Sequence, residues 1–130
     1  MEPSHEGKAA KPKVLIVDDD WDLVFTLMLR LKAAGFSVEI AQDGEVGLDR
    51  ALTFQPDVVL LDLLMPRLDG WEVCRRLRKN PLTRNLPVVA MTGLRRPGSD
   101  ECLHGVGINK ILLKPFDPDR LMEVIEKSAG

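Results

Sequence analysis

The feature that most constrains this chain is a set of short apolar runs, V-L-I-V at 14–17, V-V-L-L at 58–61 and P-V-V-A-M at 87–91, separated by segments of helical period. Runs of four or five apolar residues, rich in β-branched side chains, are too short for helices and read as strands buried on both faces. Two less apolar strands complete the set, Ser37 to Ala41 and Lys110 to Leu113. Between them, residues 22–34 repeat through Leu23, Leu27, Leu31 and Ala34, with Asp20 or Asp22 as N-cap and Gly35 as stop. Further helices are expected near 45–53, 71–79 and 98–106, and from Pro118 to Lys127, where proline takes the favoured first position. Gly98, Gly105 and Gly107 should keep the fourth of these short.

Strict alternation of strand and helix, with strands apolar throughout, predicts an α/β fold: a doubly wound (βα)5 sandwich around a parallel five-stranded sheet. Residues 1–12 carry no apolar period and read as a flexible tail before a single domain over 13–128, with 129–130 as its end. The 18 Lys and Arg against 20 Asp and Glu leave a net charge of −2, so no basic excess is available for nucleic acid. No apolar run approaches the roughly 20 residues of a membrane span. The start, MEPSHEGKAAKPK, lacks the apolar stretch of an export signal, and Cys74 and Cys102 have no metal-site spacing, so a cytoplasmic protein is expected.

In sheets of this kind the working residues lie just beyond the carboxyl ends of the strands. Those ends carry Asp18 and Asp19, then Asp62, then Thr92 and Gly93, and then Lys114. Three carboxylates brought together by neighbouring strands need compensation, because a pair about 4 Å apart repels by roughly 4 kcal/mol at an effective dielectric of about 20. A hard divalent cation, Mg²⁺ or Mn²⁺, suits such a cluster. Lys114, the Thr92 hydroxyl and the Gly93 N–H add the donors a phosphoryl group needs. No glycine-rich nucleotide loop follows the first strand, so the phosphoryl must come from a partner or a small donor.

The motifs V-D-D at 17–19, L-D-L-L-M-P-R-L-D-G at 61–70, M-T-G at 91–93 and L-K-P-F at 113–116 together resemble the receiver domain of two-component response regulators, of the single-domain chemotaxis-regulator kind. The resemblance covers roughly residues 13–127 and implies a flavodoxin-like sheet of order 2-1-3-4-5. It also implies that Asp62 accepts a phosphoryl group from a phosphohistidine. Asp19 would ligate the metal directly, Asp18 through a water, and the carbonyl of Leu64 would complete the set with Asp62. Thr92 and Lys114 would contact the phosphoryl oxygens. The implied partners are a sensor histidine kinase or histidine phosphotransfer protein and a downstream protein target. The chain would be a phosphoacceptor that serves its own phosphorylation and dephosphorylation, not a turnover enzyme. Many receivers carry an aromatic residue three positions before the lysine, where this chain has Ile111. That departure motivates an alternative, a receiver-like interaction scaffold independent of phosphorylation. A small phosphatase built on Asp18 and Asp20 is disfavoured by Trp21 in the position after that pair.

Simpler roles fit other residues: Asp20 and Asp22 as capping or solvated acids, His5 and His104 without assignment, and Cys74 as core packing. At about 100° per residue, a core face through Leu23, Leu27 and Leu31 leaves Trp21, Phe25, Met28 and Leu29 turned outward. This apolar face is expected to dock a helical partner or a second copy of the chain.

Overall fold

The computed structural model describes residues 11–93, 105 and 107–129. The fourth expected helix, Gly105 apart, falls outside those residues together with His104 and Cys102, as do His5 and most of the expected tail. Five strands, β1 (Lys13–Val17), β2 (Ser37–Ala41), β3 (Val58–Asp62), β4 (Val88–Thr92) and β5 (Lys110–Leu113), alternate with α1 (Trp21–Ala33), α2 (Gly44–Phe54) and α3 (Gly70–Lys79), and α4 (Pro118–Ala129) closes the described chain. All pairings are parallel and the order is β2-β1-β3-β4-β5, as expected.

Strand side chains alternate between the two faces of a sheet, and each face here has its own core. Val14, Ile16, Leu60, Met91 and Leu112 pack with Leu27, Leu31, Leu121 and Ile125 of α1 and α4. Leu15, Val17, Leu61 and Ala90 pack with Ala51, Val73 and Leu77 of α2 and α3. Cys74 is buried in this second core, where burial pushes its thiol upward, which agrees with a packing role.

The caps are local and acidic: Asp20, Asp43 and Asp69 each accept a hydrogen bond from the backbone N–H three residues on, beginning α1, α2 and α3. Helix α1 turns its buried stripe slightly away from the expected one. Val24, Leu27 and Leu31 are buried, and Leu23 and Ala34 are only half-buried. Lys11, expected in the free tail, pairs with Glu126 of α4 at 3.2 Å and lies over the Phe36 ring.

Two close approaches fix where α2 and α3 begin. A Cβ on Gly44 would stand 2.8 Å from the Leu68 carbonyl oxygen and 2.7 Å from the Val73 side chain, so α2 starts against the β3–α3 loop. Within that loop Arg67 holds a left-handed backbone, φ 65°, which costs a non-glycine residue on the order of 1 kcal/mol.

Candidate functional site

The register explains why distant sequence motifs meet. Val17 pairs with Leu61 across β1 and β3, so Asp18 and Asp62 are neighbours one step further on. Across β4 and β5, Thr92 pairs with Leu113, which sets Lys114 beside it, and the Lys114 N–H donates to the Thr92 carbonyl at 2.8 Å. Asp18, Asp62 and Lys114 are in phase with Ile16, Leu60 and Leu112, whereas Thr92 is in phase with Ala90 on the other face.

One carboxylate oxygen from each of Asp18, Asp19 and Asp62 lies within 4.8 Å of the other two. Asp18 and Asp62 are buried while Asp19 faces solvent, so the cluster opens outward through Asp19. Lys114 reaches across it, its Nζ 2.8 Å from Asp18 Oδ2 and 3.7 Å from Asp62 Oδ1. The other Asp18 oxygen accepts from the Asp20 N–H at 2.9 Å, and Asp62 Oδ1 accepts from the Leu64 N–H at 3.3 Å.

Among the described residues one cation faces two buried carboxylates, which leaves the pair undercompensated. Burial and the neighbouring charge of Asp18 push the Asp62 carboxyl from its ordinary 3.8 up to about 6, against the opposing pull of Lys114. Burial pulls the Lys114 ammonium downward, but its hydrogen bond and charge pairing with Asp18 and the charge of Asp62 leave it above its ordinary value. An acidic pocket of hard oxygens, open on one side, fits a divalent cation that keeps several waters.

Thr92 is buried at the end of β4, and Gly93 is exposed, with nothing among the described residues within 4 Å of where a Cβ would stand. Leu64 turns its side chain outward, 54% exposed. The Lys114–Pro115 peptide is cis. Asp20, set aside as a cap in the sequence, does cap α1, though its charge also helps raise Lys114. On α1, Trp21, Phe25 and Leu29 are each more than half exposed, whereas Met28 is half-buried against the sheet and contributes only an edge to that face. Ile111 is half-buried in the second core.

Fold and site together define a doubly wound α/β domain with an acidic pocket and a lysine at one edge of its sheet. Residues 14–126 match the response regulator receiver domain, and the chain belongs to that family, the receiver domains of two-component signalling. Among curated relatives it is 41% identical over 112 residues to the response regulator MprA of Mycolicibacterium vanbaalenii, covering 85% of this chain and 47% of that protein. It is 36% identical over 111 residues to the DNA-binding dual master transcriptional regulator RpaA of Synechocystis sp., covering 85% of this chain and 46% of that one. The chain thus spans about half the length of these relatives. Among solved structures, the Vibrio cholerae chemotaxis protein CheY4 superposes with a TM-score of 0.86 at 30% identity, over 92% of this chain and 99% of that one. The receiver domain of the Pseudomonas aeruginosa sensor histidine kinase PA1611, described with a magnesium ion in its active-site cleft, superposes at 0.83 with 27% identity, over 93% of this chain and 99% of that one. No helix among the described residues is long and apolar enough to cross a membrane.

Sequence reasoning missed the close approaches at Gly44 and Gly70 and the left-handed Arg67. The signal was partly available, since Asp43-Gly44 and Asp69-Gly70 repeat one cap-then-glycine pattern. What each glycine touches is a tertiary fact.

Proposed function

We propose that Asp62 is the phosphoacceptor of this domain and that Asp18, Asp19, Asp62 and the Leu64 carbonyl hold Mg²⁺, with Mn²⁺ as a substitute. The observation that carries this reading is the convergence of three carboxylates within 4.8 Å, with the Lys114 ammonium 3.7 Å from Asp62. An Asp62 carboxylate oxygen attacks the phosphorus of an N-phosphohistidine. The O–P bond forms as the P–N bond breaks, and the electron pair returns to the imidazole, which departs. With its carboxyl near 6, Asp62 is largely ionised at neutral pH and able to attack. Lys114, the Thr92 hydroxyl and the Gly93 N–H receive the phosphoryl oxygens. A bound divalent cation supplies charge neutralisation and orientation for those oxygens. The acyl phosphate stays on the chain, so the domain acts as a stoichiometric carrier of signal in the cytoplasm and not as a turnover enzyme.

The donor in this reading is the histidine-bearing helical bundle of a sensor kinase or a histidine phosphotransfer protein, and a downstream protein target reads the result. Trp21, Phe25 and Leu29 form a stripe along α1 that starts one residue after Asp20, beside the mouth of the site, with Met28 at its edge. An exposed apolar stripe next to the acceptor suits a docking helix. A second copy of the chain is the competing occupant.

Intact-mass spectrometry after incubation with acetyl phosphate tests the acceptor. One phosphoryl adduct on the wild type, dependent on Mg²⁺ and missing from Asp62→Asn, is expected. Should neither acetyl phosphate nor a phosphorylated histidine donor label the wild type, the scaffold reading replaces this one. For the docking face, Phe25→Ser should lower phosphotransfer from a histidine donor by about tenfold relative to labelling by acetyl phosphate, the loss typical of a central aromatic anchor. An unchanged ratio, together with an unchanged oligomeric state, would remove α1 from the interface.

A further inference from the structure

We propose that Gly70 is a positioning residue for the phosphoacceptor: its missing side chain lets the first turn of α3 rest directly on the backbone that carries Asp62. This inference depends on Asp62 being the acceptor, as read above. A Cβ at Gly70 would stand 2.5 Å from the Asp62 carbonyl oxygen, 2.7 Å from the Leu63 Cα and 3.1 Å from the Asp62 carbonyl carbon. All three are backbone atoms, which cannot turn aside as the end of a long side chain can. The need is spatial and not conformational, since the described glycines with positive φ are Gly35 and Gly107.

The contact is held from both ends. The Gly70 N–H donates to the Leu63 carbonyl at 3.2 Å, tying the helix start to the residue just past β3. Asp69 caps the same turn through the Glu72 N–H at 2.9 Å. The stretch pressed by Gly70 holds Asp62 at one end, and just beyond it the Leu64 N–H donates to the Asp62 carboxylate. An added methyl forces either α3 to retreat or the Asp62–Leu63 peptide to shift. The second response moves the carboxylate relative to Asp18 and Lys114, where small displacements carry large kinetic effects.

The test compares Gly70→Ala with Gly107→Ala, which burdens a positive φ at the opposite edge of the sheet. Each is measured for thermal stability, for Mg²⁺ affinity by calorimetry without any donor, and for phosphorylation rate by acetyl phosphate at saturating Mg²⁺. Gly70→Ala should weaken Mg²⁺ binding and slow phosphorylation by about tenfold or more each, whereas Gly107→Ala should lose stability with both within about twofold of wild type. Wild-type affinity and rate in Gly70→Ala would overturn the proposal, as would the two variants declining together in proportion to their stability. If Gly70→Ala does not fold, Asp69→Ala frays the same turn without a clash. It should weaken Mg²⁺ binding by about threefold, with Asp69→Asn, which retains the cap, restoring it. Wild-type affinity in Asp69→Ala would then overturn the proposal. Because Mg²⁺ affinity is read without a donor, a wild type that takes no phosphoryl group would count against the acceptor reading and leave the positioning result standing separately.

Discussion

At the amino edge of the sheet, Arg78 of α3 spreads its guanidinium over the carbonyls of Thr83, Arg84, Leu86 and Gly107, the shortest contact being 2.6 Å to Gly107. Asn109 joins this cluster, its side-chain oxygen accepting from the Val88 N–H at 2.8 Å. At the carboxyl edge, Asp18 and Asp62 are buried, and among the described residues Lys114 is the cation between them. The first edge uses one half-buried charge to satisfy several neutral acceptors, and charge-assisted hydrogen bonds of this kind stabilise the fold. Among the described residues the second holds more negative charge than it neutralises, which costs stability in the metal-free protein and favours the binding of a cation. One edge ties neutral backbone groups to a single charge, and the other stores an imbalance that a cation would relieve.

Three measurements would break or sharpen this contrast. The largest effect is expected at Arg78: Arg78→Ala leaves several carbonyls without their donor and should lower unfolding free energy by about 3 kcal/mol or more in urea titrations. A loss under about 1 kcal/mol would mean that water replaces the guanidinium, and that the amino edge is no better built than the other.

The next effect concerns pH. With Asp62 raised from 3.8 to about 6, the folded protein holds this proton more tightly than the unfolded chain between those values. The contribution is therefore complete below about pH 4 and is lost as pH rises through about 6, amounting to about 3 kcal/mol for a shift of this size. In metal-free buffer the wild type should weaken relative to Asp62→Asn as pH rises from 4 to 7, and Mg²⁺ at pH 7 should recover part of the difference by mass action. Parallel pH profiles for the two proteins would show that the carboxyl edge carries no such imbalance.

The smallest effect lies in the β3–α3 loop at the carboxyl edge. Arg67→Gly relieves a left-handed backbone at an exposed position and should stabilise the protein by about 0.5–1 kcal/mol, after the entropy cost of glycine. Destabilisation would show that the Arg67 side chain repays its backbone strain.

Much of the carboxyl edge was legible in the sequence because strand ends are easy to find. Apolar runs stop abruptly at Asp18, Asp62 and Thr92, and a parallel sheet brings successive ends to one edge. The α1 stripe was legible only in part. Helical period correctly turned Trp21, Phe25 and Leu29 outward, but it also put Met28 there and passed over Val24, because the exact rotation of a helix is set by what it packs against. The Arg78 cluster left no trace, since Arg78 sits in a basic run, R-R-L-R-K, that looks like a solvated helix end. Its acceptors are backbone carbonyls, which every residue has.

The sequence by itself determined the alternation of strand and helix, the burial of the sheet on both faces, and the residue types at the strand ends, because these follow from local period and from the polarity of single positions. Only the tertiary structure decided that Lys114 bridges Asp18 and Asp62, that Gly70 presses on the Asp62–Leu63 backbone and that Arg78 closes the opposite edge. Each of these joins residues brought together by packing, at distances of a few ångströms that no spacing along the chain encodes.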